Sequence, residues 1–358
     1  MKLIAGLLII SISCAANKAD TVAPFKASQG VLLFNSGFEG DTYVSITSGQ
    51  NEKLAGADHT VEAPNNWTTF CTKGGYPAAG SFSIFYEGGD SAKRKARLMK
   101  DPKNSMNTVL KFTVYEANVV KEGEDHPYKT RIQGQVSNTA PGIKKYYQSV
   151  KMYFPSATMN VLKNYPENIT WFSLAEFWNN AAWGNVPKDP YRLTVGMGHK
   201  AGGANPFYFH FSCDKYTIQF KADGKTPEKY IPTKIAGRSN EMFSIPFDTW
   251  LTVEYYYQEG NWAASSTRPA GHFYMSVQPE GRLKIILFNE RVATIHPDET
   301  VSPDGLTSYQ PLKFYTNKQI AMYMKANHAP LEMMWDDLKI YSDRIPNDAA
   351  LIAELNKP

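Results

Sequence analysis

Arg131, Gln133 and Gln135 occupy alternate positions in the run KTRIQGQVSN, against Ile132 and Val136. In an extended strand alternate side chains share a face, so a guanidinium and two amides project together. A guanidinium grips a carboxylate through its planar fork, and amides orient hydroxyls. Gly134 in the same run marks a bulge or space for a ligand. A second set lies between Asn168 and Cys213, where NITWFSLAEFWNN, YRLTVGMGHK and PFYFHFSC read as three strands with polar and aromatic side chains interleaved. The period of two puts Phe172, Leu174, Glu176 and Trp178 on one face, and Tyr208, His210 and Ser212 together on another. A carboxylate beside an indole suits a dry core poorly. It suits the floor of a carbohydrate groove, where Trp stacks on a sugar and Glu meets its hydroxyls. Asn179 and Arg192 are further binding candidates in this stretch. Two more strands, GHFYMSVQ with His272 and WLTVEYYYQ with Glu254 and Tyr256, alternate polar groups in the same way.

The elements that must position these groups belong to a chain of 358 residues, 42% hydrophobic and 20% charged, the composition of an ordinary folded domain. Aromatic residues reach 13%, which suits broad sheets and sugar-stacking surfaces. A net charge of +4 is too weak to imply a nucleic-acid partner and is compatible with an acidic polysaccharide. The basic run SAKRKARLMKDPK, with Lys93, Arg94, Lys95, Arg97 and Lys100, reads as a loop able to steer a polyanion.

The strand candidates are Thr108–Glu116, Tyr128–Val136, Lys145–Phe154, Thr170–Trp178, Arg192–His199, Phe207–Cys213, Tyr216–Lys221, Trp250–Gln258, His272–Gln278, Leu283–Asn289, Leu312–Thr316 and Leu331–Ser342. They are rich in β-branched and aromatic residues and separated by Gly, Pro, Asn and Asp. Residues 49–66, 222–240 and 293–305 read as long loops, and the stretch 222–248 is placed to overhang a groove. Only the tail reads as a helix, AALIAELNK capped by Asn347 or Asp348. No repeat is visible. Many strands and few helices predict one all-β domain over residues 29–345, a two-sheet sandwich or jelly roll, followed by the helical tail at 346–358.

The first thirteen residues carry Lys2 and a short apolar run, the pattern of an export signal. With Cys14 behind them they resemble a bacterial lipoprotein leader. That resemblance implies lipidation of Cys14, a polar tether to residue 28, and a secreted protein held at the outer membrane or in the periplasm. Cys71 and Cys213 are either a disulfide or two buried thiols.

The opening GVLLFNSGFEGDT and the closing PLEMMWDDLKIYSD resemble the adjacent first and last strands of concanavalin-like jelly rolls. The resemblance implies a structural Ca²⁺, for which Glu39, Asp41 and Asp337 are the matching oxygen ligands. No organic cofactor is expected, since the sequence has neither His-Glu-x-x-His nor a phosphate-binding glycine loop.

Arg131 with Gln133, then Glu176-Phe177-Trp178, then Leu312-Lys313-Phe314-Tyr315-Thr316-Asn317 fall in the order of three strands that resemble the jelly-roll polysaccharide lyases of the alginate and heparin type. In that family the second strand carries Gln-x-His and the third ends in Tyr; here Trp178 and Asn317 take those places. The resemblance implies β-elimination on a uronate-containing, anionic polysaccharide. That reaction needs the carboxylate neutralised, a base for the neighbouring proton and an acid for the leaving oxygen. Arg131 and Gln133 would hold the carboxylate, His210 or His199 would be the base, and Tyr208, Tyr256 or Tyr315 the acid. Gln135, Glu176, Trp178, Lys313 and His272 would line the subsites. A retaining glycosidase built on Glu176 and Glu254 is a second reading, and needs the two carboxylates about 5 Å apart. A non-catalytic glycan binder using Trp178, Trp183 and Tyr208 is the third.

Overall fold

The computed structural model describes residues 24–46, 52–68, 82–86, 92–117, 129–136, 142–179, 190–262 and 268–357. Along these the strands are β1 (Val31–Ser36), β2 (Tyr43–Ile46), β3 (Glu52–Ala55), β4 (Ser83–Tyr86), β5 (Arg94–Lys100), β6 (Thr108–Val114), β7 (Lys129–Val136), β8 (Lys145–Tyr153), β9 (Phe172–Asn179), β10 (Tyr191–His199), β11 (Phe207–Phe220), β12 (Pro227–Asn240), β13 (Trp250–Gln258), β14 (His272–Pro279), β15 (Ile285–Arg291), β16 (Leu306–Asn317) and β17 (Leu331–Ser342). Helices α1 (Ser156–Leu162), α2 (Lys318–Ala326) and α3 (Ala349–Leu355) complete the set.

Two antiparallel sheets form a jelly-roll sandwich. One runs β12-β11-β10-β9-β16-β7-β4-β3-β2; the other runs β15-β14-β13-β8-β17-β6-β5, with β1 also paired to β17. First and last strands are therefore neighbours, Val31 opposite Ser342 and Ser36 opposite Leu338. Between the sheets lies a continuous apolar layer to which Leu174, Phe177, Leu193, Val195, Phe209, Phe211 and Phe314 contribute from the nine-stranded sheet, and Val150, Val253, Tyr255 and Trp335 from the other. Burial of this layer is the main driving force for the fold. Gly134 faces this layer rather than a ligand: a Cβ there would lie 2.5 Å from the Phe82 ring, which fills the space.

Several readings of the sequence change. The span 222–240 is mostly β12, the edge strand along β11, and does not form a loop over a groove. Its Lys, Pro and Gly content hides a strand that pairs on one side only. The basic run is β5, at the edge of the other sheet. Arg94 within it is fully buried, so the run is not a freely solvated polyanion guide. Two helices were not foreseen. α2 buries Ile320, Ala321 and Met324, and Asn317 caps it by accepting from the Ile320 amide at 3.0 Å. The expected tail helix is α3, capped by Asp348, which accepts from Ala350 and Leu351. Part of the expected tether is bound: the Phe25 amide donates to Asn356 Oδ1 at 2.7 Å.

Candidate functional site

The nine-stranded sheet turns one face to the core and one away from it, and the outward face collects the polar groups. On β7 the alternation holds as read: Arg131, Gln133 and Gln135 face outward, and the Gln133 amide donates to Gln135 at 2.5 Å. On β9 it breaks. The pairing of β9 with β10 shifts register at Gly196, so Phe172 and Leu174 enter the core while Glu176 and Trp178 face out. A bulge re-aims side chains in this way. The long strand β16 shifts register against both neighbours, between Tyr309 and Leu312 on the β7 side and between Gln310 and Tyr315 on the β9 side. These irregularities carry Lys313 to Glu176.

The centre is an ion pair, Lys313 Nζ to Glu176 Oε2 at 2.6 Å, with the two side chains only 1% and 4% exposed. Trp178 Nε1 donates to the same carboxylate at 3.2 Å, and Arg192 approaches its other oxygen at 3.6 Å. Arg192 is in turn held by Asp214 at 2.8 Å and lies 5.3 Å from the ring centres of both Trp178 and Tyr216. On the opposite flank Arg131 lies 4.6 Å from the Phe85 ring and 4.9 Å from that of Tyr315, and Lys313 Nζ is also 4.9 Å from Tyr315. Trp171 packs edge-on against Tyr315 at 4.8 Å. Two carboxylates, two guanidiniums and one amine thus share one cluster.

These environments set the protonation states. Burial drives the Lys313 amine down; Glu176 opposes this, Arg131 and Arg192 add to it, and the pKa falls to about 7. Burial alone would raise Glu176, but Lys313 and Arg192 outweigh it and hold the carboxyl below its usual range. An amine that changes charge near neutrality, beside a phenol and two guanidiniums, can give or take a proton under physiological conditions.

Row by row, Arg131 is opposite Tyr315, Tyr315 opposite Ser173, and Gly196 opposite His210. Ser173 and Gly196 leave the middle of that row low. A Cβ on Gly196 would lie 2.8 Å from the His210 ring, so the imidazole leans over the glycine toward Ser173. Burial lowers His210 to about 4, and its Nε2 has no hydrogen-bond partner. A neutral imidazole therefore stands three strands along the row from Tyr315.

Not every expected residue joins this face. His199 points into the core, its ring tilted against Phe207 at 4.4 Å with Nε2 toward the Asn205 carbonyl at 3.1 Å. Asn179 also turns inward and donates to Glu259 at 2.9 Å. Tyr256 and His272 lie on β13 and β14 of the other sheet, bonded to Gln258 and Asn289. They are excluded from this face because alternate polar positions recur on both sheets. Glu254 is on that second sheet too, held by Tyr147, Ser276 and Lys284, so it does not face Glu176 and the glycosidase pair is lost. Tyr208 keeps its place on the outer face, over Gly198, with Glu241 and Lys200 as its charged neighbours. Trp183, Cys14 and Cys71 lie outside the described residues; Cys213 has a buried thiol pushed up to about 12.

The three expected calcium ligands are not brought together. Glu39 accepts from the Thr108 amide, Asp41 pairs with His59 at 3.5 Å, and Asp337 pairs with Lys151 at 2.6 Å. Among the described residues no group of three His, Cys, Asp or Glu is placed to hold a metal.

Comparison with known proteins locates likenesses of chain path. No family model and no curated protein matches the sequence. Among solved structures, a marine alginate lyase from Aplysia kurodai aligns at 12% identity and TM-score 0.41, over 83% of this chain and 100% of that one. An endo-β-1,4-glucuronan lyase from the fungus Trichoderma reesei aligns at 10% and 0.39, over 72% and 90%. The catalytic domain of a β-glucanase from Podospora anserina aligns at 9% and 0.31, over 77% and 88%.

The structure gives Lys313 a central place, where the sequence marks it only as a binding group, and adds Asp214, which the sequence does not mark. A lysine between Leu312 and Phe314, in a strand whose neighbours are apolar, was the available signal.

Proposed function

We propose that the chain is a polysaccharide lyase acting on a uronate-containing polymer at the outward face of the nine-stranded sheet. The observation that carries the reading is the cluster of Arg131, Lys313 and Tyr315, two cations each 4.9 Å from one phenol ring. In the proposed reaction Arg131 and Gln133 hold the uronate carboxylate. The proton on the adjacent carbon leaves to the Lys313–Tyr315 pair. Its electrons form the carbon–carbon double bond, the bond to the glycosidic oxygen breaks, and that oxygen takes a proton from the Tyr315 hydroxyl. Negative charge developing on the carboxylate side meets the cations, which is where stabilisation counts most. Tyr315, at 6% exposure against 1% for Lys313, is the member that meets the sugar. His210 stands at the far end of the row from Tyr315, and Trp178 with Tyr216 offers an aromatic surface for a neighbouring unit. The proposal retains the exported, lipid-anchored form through Cys14.

The test is absorbance near 235 nm, where an unsaturated uronate absorbs, with alginate, glucuronan, pectin, ulvan, heparin and chondroitin as substrates. One polymer is expected to give a rising signal that Arg131→Ala and Tyr315→Phe reduce by at least about 100-fold, while Glu254→Gln leaves it unchanged. The rate should climb as pH passes about 7, where Lys313 becomes neutral. A second reading, a glycan-binding protein without catalysis, is favoured by the closed Lys313–Glu176 pair at 2.6 Å. A flat trace on every polymer, with retardation of one of them in an affinity gel, would replace the lyase by that reading.

A further inference from the structure

Trp262 is 55% exposed, an uncommon position for so large an aromatic side chain. Its backbone is nevertheless held. The preceding Asn261 is buried, and its Nδ2 donates to the Pro297 carbonyl at 3.2 Å and to Glu299 at 3.3 Å. Its Oδ1 accepts from the Trp262 amide at 2.8 Å. The indole is backed as well. The Arg291 guanidinium lies 5.5 Å from the ring centre, and Arg291 is itself tied to Glu354, 3.8 Å from the carboxylate and 3.1 Å from the carbonyl. A guanidinium covers one face of a ring at most, and over half of this side chain stays open. A ring already fixed in this way loses little freedom when something binds it.

Beside the indole is a recess of about 490 Å³. It lies at the open side of the sandwich, where the edge strands of the two sheets meet and Asn240 on β12 donates to the Leu287 carbonyl on β15 at 3.1 Å. Trp262 is part of its lining, with Arg238 from β12 and Glu290 from β15. Arg238 is exposed and donates to the Gly237 carbonyl at 3.0 Å; Glu290 is half-buried. Among the described residues neither is in an ion pair, with the other or with any third group. A strong donor and a strong acceptor thus share one recess without neutralising each other. A hydroxyl both donates and accepts, so a ligand rich in hydroxyls satisfies the two together. A hydrocarbon satisfies neither, and a simple anion meets Glu290 as well as Arg238. A pyranose ring joins such hydroxyls to a C–H face that lies flat on an indole.

We infer that this recess is a second glycan site, at the edge of the sandwich and apart from the Lys313 cluster: a pyranose unit lies on Trp262, and its hydroxyls accept from Arg238 and donate to Glu290. The site needs a glycan but no cleavage, so it does not stand or fall with the lyase reading.

The experiment uses the full chain with 5-fluorotryptophan at its seven Trp positions and with Arg131→Ala, so that no probe is cleaved. Loss of one fluorine resonance in Trp262→Phe identifies that of Trp262. Tetrasaccharides of alginate, glucuronan and cellulose are the probes, each titrated to about 10 mM, a range that covers weak single-unit sites. At least one of them is expected to move the Trp262 resonance along a saturating curve. Arg238→Gln and Glu290→Gln should each weaken that curve at least about threefold. A Trp262 resonance that stays fixed with all three probes overturns the proposal, and so does a curve that both substitutions leave unchanged. A resonance that moves on dilution of the protein alone would make the indole a contact between two copies of the chain and overturn it too. The remaining Trp resonances report whether each variant is folded, and the 235 nm assay reports separately on the outward face.

Discussion

Lys313 shows how far one side chain can depart from its usual chemistry. Its ordinary value of 10.5 falls to about 7 in the folded chain, while the unfolded chain keeps the ordinary one. Between these two values the unfolded state binds more protons, so this group makes the fold more stable as pH rises and less stable as pH falls toward 7. Lys313→Met removes that dependence. Urea unfolding should therefore show the wild type gaining on Lys313→Met between about pH 7 and pH 10, and a constant difference across that window would refute the assignment. Removing the other half of the pair acts in one direction only. Glu176→Gln strands a buried amine between two guanidiniums and should cost roughly 3 kcal/mol at pH 6, by the same measurement.

At the level of elements, what the sequence conceals is irregularity. The alternation of Arg131, Gln133 and Gln135 could be read because the extra residue of the shifted β7–β16 pairing lies on β16, and β7 pairs with β4 without a break from Ile132 to Gln135. The alternation of Phe172, Leu174, Glu176 and Trp178 could not, because a register shift falls in the middle and a strict period cannot signal it. Trp250–Gln258 and Leu331–Ser342 were legible to the residue, since dense aromatic and β-branched runs leave few alternatives. β12 and β5 were missed because edge strands tolerate the charges and prolines that otherwise mark loops. Asn317, where a lyase-like strand would end in Tyr, is a helix cap and serves the fold instead. Asn317→Ala should lower stability by about 1 kcal/mol. It should leave the 235 nm rate intact, and a lost rate at unchanged stability would move Asn317 into the site.

Across the whole molecule the two sheets divide the work. The nine-stranded sheet carries the charged cluster on its outward face, while the outer face of the other is covered in part by α3, where Leu351 and Leu355 pack on Tyr256, Tyr274 and Ile345. Ending the chain after Pro346 removes both leucines and should cost roughly 3 kcal/mol or more. The strand signature in far-UV circular dichroism should persist, and so should the groove's activity. A chain that no longer folds would show instead that α3 closes the sandwich. The same region fixes both ends of the described chain. Phe25 and Asn356 exchange hydrogen bonds of 2.7 and 2.9 Å, and just inside them Ser28 and Ile345 pair before β1 runs along β17. A pull on the N-terminal segment would load that clasp first and then the β1–β17 bonds in shear, all together rather than one by one. An anchor through Cys14, as proposed, would pull on this corner, where the β1–β17 bonds resist together.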